Sequence, residues 1–294
     1  MIPLTSALKT SGVLVSDGAW GTFLHQKGLP SGTCPESWNL DHADEVYDIA
    51  LSYVKSGADM ILTNSFGGNK FKLMHYGLEN KVYELNKAAA EISRKAAGKD
   101  IYVLGSIGPT GVILMMGETT RDELYQAFRD QSTALADGGA DVILIETMSD
   151  IEEAVTAIQA AKENTKKEVA CTMTFSKTPQ DEYRTMMGIS PEECVNELIN
   201  AGVDIIGANC GNGTSGMIDI VKQIRKVNAE IPVLIHANAG VPFYQDGKTV
   251  FPESPEDMAS QIQELINAGA NIVGGCCGTT PEHIRKIAEV VRKK

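Results

Sequence analysis

Three of the six cysteines can do chemistry together: Cys210 and the adjacent pair Cys276–Cys277. Three thiolates around one divalent ion leave a tetrahedral position open, which is the mark of a catalytic rather than a structural zinc site. Soft sulfur donors disfavour magnesium and calcium. Spacing alone also allows two plainer readings, small buried side chains or a strained redox disulfide. Adjacent cysteines on a regular strand point to opposite faces, so both can face one ion only if the chain turns there. Gly274, Gly275 and Gly278 are expected to supply that turn. Cys34, Cys171 and Cys194 read as loop, strand core and helix core.

Two acidic residues, Asp17 and Glu146, each end an apolar run. A buried carboxylate is costly unless paired. Two of them on one rim are expected to await a cation such as a substrate amine; the plainer reading is that each accepts local N–H bonds. The five histidines are scattered. His236 reads first as a satisfied residue near the core and second as a support to the cysteines. No Ser–His–Asp relay, phosphate loop or CxxC pair is present.

The elements that must position these residues follow from a repeat. Ser56-Gly57-Ala58-Asp59, Gly138-Gly139-Ala140-Asp141, Ala201-Gly202-Val203-Asp204 and Ala268-Gly269-Ala270-Asn271 each close a helix-like segment and precede an apolar run. The glycine fits a left-handed helix C-terminus, and the run fits a strand buried on both faces. The copies recur at about twice the length of a βα unit. Four further strand candidates lie between or before them, at residues 12–15, 102–105, 168–171 and 232–235. Helical segments such as Asp44–Lys55, Asp122–Ala136, Ile151–Ala161 and Pro255–Ala268 intervene. Eight alternations predict an α/β fold, a single-domain (β/α)8 TIM barrel over residues 1–294. An open doubly wound sheet is disfavoured, because Asp17-Gly18-Ala19-Trp20-Gly21-Thr22 lacks the phosphate-binding glycine spacing. In a barrel, chemistry sits at the C-terminal strand ends. Those ends carry Asp17, Phe66, Glu146, Cys210, Asn238, Cys276 and Cys277. Strands six and eight share parity, so their cysteines are expected to face one another across the mouth.

Composition narrows the function classes. Of 294 residues, 43% are hydrophobic and 22% charged, which suits a globular protein, and the formal net charge is −12. That charge repels phosphate backbones and anionic lipid, so neither nucleic acid nor a membrane surface is an expected partner. With no signal-like N-terminus and no apolar run of about 20 residues, a cytoplasmic location is expected, where clustered cysteines are better read as metal ligands or reactive thiols than as disulfides.

The stretches Asp17–Thr22, Leu62–Gly67, Gly108–Gly111, Glu146-Thr147, Gly207–Cys210, Asn238–Gly240 and Gly274–His283 together resemble the homocysteine S-methyltransferase family, over nearly the whole chain. The resemblance implies that Cys210, Cys276 and Cys277 bind Zn2+ and that homocysteine sulfur joins them as a thiolate. It implies that Asp17 and Glu146 hold the substrate amine, and that N–H groups near Gly18 and Ala19 hold its carboxylate. Phe66 falls among the substrate-binding stretches. Asn238 matches a family asparagine near the metal. A free thiol, with a pKa of about 8.5, is mostly protonated at neutral pH, and a coordinated one is not. Methyl transfer to homocysteine, giving methionine, is the expected reaction.

The chain also departs from the family's pattern. Where a polar step usually follows strand five, Arg184-Thr185-Met186-Met187-Gly188 stands, and the strand-three loop contains Met115-Met116. Methionine pairs make soft, adaptable surfaces. With no cobalamin module in the sequence, the alternative expectation is demethylation of a methylated small molecule with a separate corrinoid protein as acceptor.

Overall fold

In the computed structural model, which describes residues 1–245 and 247–293, eight parallel strands alternate with helices. The strands are β1 (Leu14–Val15), β2 (Met60–Leu62), β3 (Tyr102–Ile107), β4 (Val142–Met148), β5 (Glu168–Met173), β6 (Ile205–Asn209), β7 (Val233–Ala237) and β8 (Ile272–Gly275). β1 pairs with β8, and the ladder runs back in order through β7 to β2. A bridge between Ser16 and Met60 joins β1 to β2, so the sheet closes. The expected TIM barrel is the observed architecture.

Alternation along the strands builds two apolar layers. One face of each strand packs against the helices, through residues such as Val103, Ile143, Val169, Ile235 and Val273. The other face fills the barrel, with Met60, Leu104, Leu144, Ala170, Ile205, Leu234 and Ile272 in one cluster. The helix Leu4–Ser11 plugs the N-terminal end by adding Leu4 and Leu8 to this interior cluster. Fully burying such a leucine contributes roughly 1.5–3 kcal/mol. Glu168 anchors the plug by accepting from the backbone N–H of Leu4 and Thr5.

The expected helices form with small changes at their ends: Ala43–Lys55, Arg121–Asp137, Ile151–Asn164 and Pro255–Asn267. Capping boxes start two of them, Thr120 with Glu123 and Ser254 with Asp257, satisfying N–H groups that the first turn leaves unpaired. The four repeat glycines all take positive φ, between 91° at Gly57 and 115° at Gly269.

The last repeat position does more than end a loop. Asp59, Asp141, Asp204 and Asn271 each exchange two bonds with the preceding odd-numbered strand. Asp141 N–H donates to Val103 O at 2.8 Å, and its carboxylate accepts from Val103 N–H at 2.9 Å. Asp59 pairs in this way with Val15, Asp204 with Val169 and Asn271 with Val233. Each side chain also meets a cation or guanidinium: Arg292, Arg94, Lys162 and Arg225 in that order. The repeat is a fourfold device that sets register at the N-terminal rim. No helix among the described residues is long and apolar enough to cross a membrane.

Candidate metal centre and active site

The opposite rim is built differently. Above the apolar filling, the inward strand positions become polar: Ser16, Ser106, Glu146, Thr172, Asn209 and His236 are all buried. Beyond them opens a cavity of about 370 Å³, whose lining includes Trp20, Glu36, Phe66, Glu146, Cys210 and the Cys276–Cys277 pair.

The sulfurs of Cys210, Cys276 and Cys277 all lie within 4.8 Å of one another. They do not face one another across the mouth. β6 and β8 flank β7, so the three gather along one arc. The turn also differs from expectation. Gly274 and Gly275 remain in β8. They are small because neighbours crowd them: a Cβ on Gly274 would lie 2.8 Å from Ser16 Cβ, and one on Gly275 would lie 2.3 Å from Thr279 Oγ1. The chain turns after the strand, with left-handed φ at Gly278, and the matching left-handed step on β6 falls on Cys210 itself, at φ 59°.

Three thiols this close cannot all ionise unaided, because like charges oppose one another. Cys210 accepts S–H bonds from Cys276 and Cys277 and an amide bond from Asn238, which lowers its pKa far below that of a free thiol. Its partners move the other way: the bond to Cys210 raises Cys276 well above the ordinary range and raises Cys277 to about 11. A divalent cation would remove this conflict. Asn238 Oδ1 is buried without a hydrogen-bond partner beside the cluster. Three soft donors and one orphaned oxygen suit a zinc ion.

Two carboxylates are buried near this cluster: Asp17 beside β8, where its backbone carbonyl accepts from Gly275 N–H at 2.8 Å, and Glu146 on β4, which lines the cavity. Asp17 accepts from Leu62 N–H and from the Trp20 indole N–H, both at 2.8 Å. These bonds only partly offset burial, and its pKa rises to about 7. Glu146 is also raised to about 7 by burial, opposed by the Ser106 hydroxyl and reinforced by the charges of Asp17 and Cys210. Among the described residues neither carboxylate is paired with Lys, Arg or His. Asp17 is thus held by local N–H groups, as one of its two expected readings has it, and has no cationic partner among the described residues.

Gly18 passes so close to Thr279 and Tyr53 that a Cβ there would lie 2.6 Å from Thr279 Oγ1. Ala19 N–H already donates to that hydroxyl at 3.1 Å, so it is not free to bind a carboxylate as expected. Phe66 is half-exposed at the cavity lip, with its ring against Gly108. Its loop is pinned from below by the Asn39 and Gln131 amides, which donate to Asn64 O and Ser65 O, and by Glu36, which accepts from Gly67 N–H. His236 is not satisfied: it is buried with Nε2 unpartnered, and burial lowers its pKa to about 4. Cys34, Cys171 and Cys194 are buried away from the cluster, as expected. Asn209, Ser106 and Thr147 were not singled out from sequence. A signal existed for Asn209, a polar residue at an inward position of a buried strand.

Residues 14–291 match the family model described as homocysteine S-methyltransferase. The chain belongs to this family. It is 31% identical to the methionine synthase of Mycobacterium leprae over 297 residues, covering 96% of this chain and 24% of that protein. It is also 31% identical to the methionine synthase of Mycobacterium tuberculosis, covering 95% and 24%. The chain thus spans about a quarter of the length of these relatives. Among solved structures, the metallated form of the homocysteine methyltransferase MmuM from Escherichia coli superposes with a TM-score of 0.80 at 22% identity, covering 98% of this chain and 99% of that one. The carboxyl transferase domain of Rhizobium etli pyruvate carboxylase shares the fold more loosely, at a TM-score of 0.54 and 15% identity over 99% of this chain and 51% of that one.

Proposed function

We propose that this chain transfers a methyl group to the thiol of homocysteine, giving methionine, with Cys210, Cys276 and Cys277 holding zinc. One observation carries the reading: a cluster of three thiols and the unpaired, buried Glu146 line one cavity, with the equally unpaired Asp17 buried directly before its lining residue Gly18. An amino-thiol is complementary to both. Bound by the three thiolates, zinc would supply the positive charge that keeps a fourth sulfur ionised near neutral pH.

The protein side chains do the rest. Asp17 and Glu146 receive the substrate ammonium and lose their protons as it binds, because an adjacent positive charge favours the carboxylate. Phe66 and Trp20 shield the cavity wall from water. Asn238 donates its amide N–H to Cys210 and keeps its buried Oδ1 without a partner beside the cluster. N–H groups of the Gly18 segment other than that of Ala19 receive the carboxylate. The substrate sulfur supplies the electron pair for the new S–CH3 bond, and the donor leaves with the pair that held its methyl. Three adjacent free thiols suit a reducing cytoplasm.

Isothermal titration with homocysteine tests the reading. Binding with proton release by the zinc-loaded protein supports it, and no binding refutes it.

A second reading has its own observation. Met115, Met116 and Met186 are 82%, 69% and 86% exposed on loops at this rim. Such a surface suits a protein partner and favours demethylation of a small molecule to a separate corrinoid protein. Methyl transfer from the donor to added corrinoid protein, without homocysteine, would select it.

A further inference from the structure

One fully buried polar side chain at the centre of the site has no role in the reaction as described. Asn209 ends β6 with no exposed surface. Its Oδ1 accepts from Thr147 N–H at 2.8 Å and from the Thr172 hydroxyl at 2.7 Å. Its Nδ2 donates to Thr147 Oγ1 at 2.8 Å and lies 3.9 Å from Cys276 Sγ. One amide therefore touches the ends of β4 and β5 and the cysteine that follows β8.

Two of these bonds go to Thr147, which holds a left-handed φ of 62°. A β-branched residue adopts that conformation only where its surroundings over-determine it. Thr147 directly follows Glu146, so whatever fixes its backbone also fixes the start point of the Glu146 side chain. Only an amide of this length offers both the acceptor and the donors. Alanine would leave the half-buried Thr147 N–H without this acceptor. Aspartate would keep the acceptor and place a negative charge toward Cys276.

We infer that Asn209 is a positioning residue that sets the span between Glu146 and the cysteine cluster. It thereby makes the site select thiols bearing an α-amino group at the homocysteine spacing over thiols that lack one. This rests on the amino-thiol reading above.

The test uses Co2+ in place of zinc, with thiol binding followed by the sulfur-to-cobalt charge-transfer absorption. Homocysteine is compared with 4-mercaptobutanoate, the same chain without the amine. Wild type should prefer homocysteine. In Asn209→Ala and Asn209→Ser that preference should fall by about ten-fold or more, the scale expected for misplacing a group by about an ångström. Co2+ affinity, measured by chelator competition, and 4-mercaptobutanoate binding should change far less. Asn209→Asp, which keeps the Thr147 acceptor, should retain most of the preference while shifting the charge-transfer band. Equal weakening of both thiols in the Ala and Ser variants would overturn the inference and leave homocysteine binding standing. A wild type that binds Co2+ but shows no preference would overturn the amino-thiol reading with it.

Discussion

The two ends of this barrel treat acidic side chains in opposite ways. At the N-terminal rim, Asp59, Asp141 and Asp204 each accept a strand N–H and meet Arg292, Arg94 or Lys162. At the C-terminal rim, Asp17 and Glu146 are buried more deeply, accept only partial compensation, and face no cation among the described residues. The first arrangement is complete in the chain alone. The second is complete only when something positive arrives. Paired carboxylates hold the barrel in register, whereas unpaired ones raise the free energy of the empty site and lower it again on binding. The same contrast appears in the sulfurs: Cys171 and Cys194 are buried thiols pushed well up in pKa, chiefly by burial, while the rim cysteines share protons with one another.

The largest effect that would break this comparison is at the sulfurs. Cys276→Ala should abolish tight zinc binding and turnover with homocysteine while circular dichroism shows an intact barrel; metal analysis that still finds one zinc per chain would remove Cys276 from the ligand set. Next come the carboxylates. Glu146→Gln should weaken homocysteine binding by about 2–5 kcal/mol, the scale for removing one partner of a buried charge pair. Titration calorimetry measures it, and unchanged affinity would mean that the amine binds elsewhere.

The pH dependence sharpens the contrast. A carboxyl raised from its ordinary value to about 7 holds its proton in the empty folded protein over a range where the unfolded chain has lost it. Stability of the empty protein should therefore fall as pH rises from about 4 to 7 and level off above. Asp17→Asn should flatten that fall, raising stability at pH 8 relative to wild type and not at pH 4. Urea melts at the two pH values measure it, and a variant no more stable at pH 8 would contradict the burial argument. Homocysteine affinity should run the other way and rise through pH 7 as the carboxylates become easier to ionise.

The smallest effect belongs to the completed rim. Asp141→Ala should lower stability by about 1.5–3 kcal/mol through the lost charged hydrogen bonds, with homocysteine affinity unchanged. A change in affinity as large as that in stability would mean that the two ends are not independent.

Much of this was legible without coordinates. The helix-closing glycine and the apolar run after it announced βα units, and their count announced closure, because backbone hydrogen bonding and side-chain alternation act locally on a few neighbouring residues. The rim cysteines and acids could be assigned to strand ends by order alone, and the flanking stretches carried the family. The repeated Asp59, Asp141, Asp204 and Asn271 stood in plain view, yet their partners lie on other elements, so their role in register did not show.

What only the tertiary structure decided are the relations among residues far apart in the chain. That Cys210, Cys276 and Cys277 gather along an arc around β7 depends on strand order in space and on a left-handed step at Cys210. That Gly274 and Gly275 are small for lack of room, and not for turning, depends on Ser16 and Thr279. That Ala19 N–H is occupied and His236 Nε2 is not, and that Asn209 links three strand ends, follows from distances no spacing encodes. The amino-acid sequence determined which groups reach the rim. Closure of the barrel decided which of them are paired, because burial and charge act through space and not along the chain.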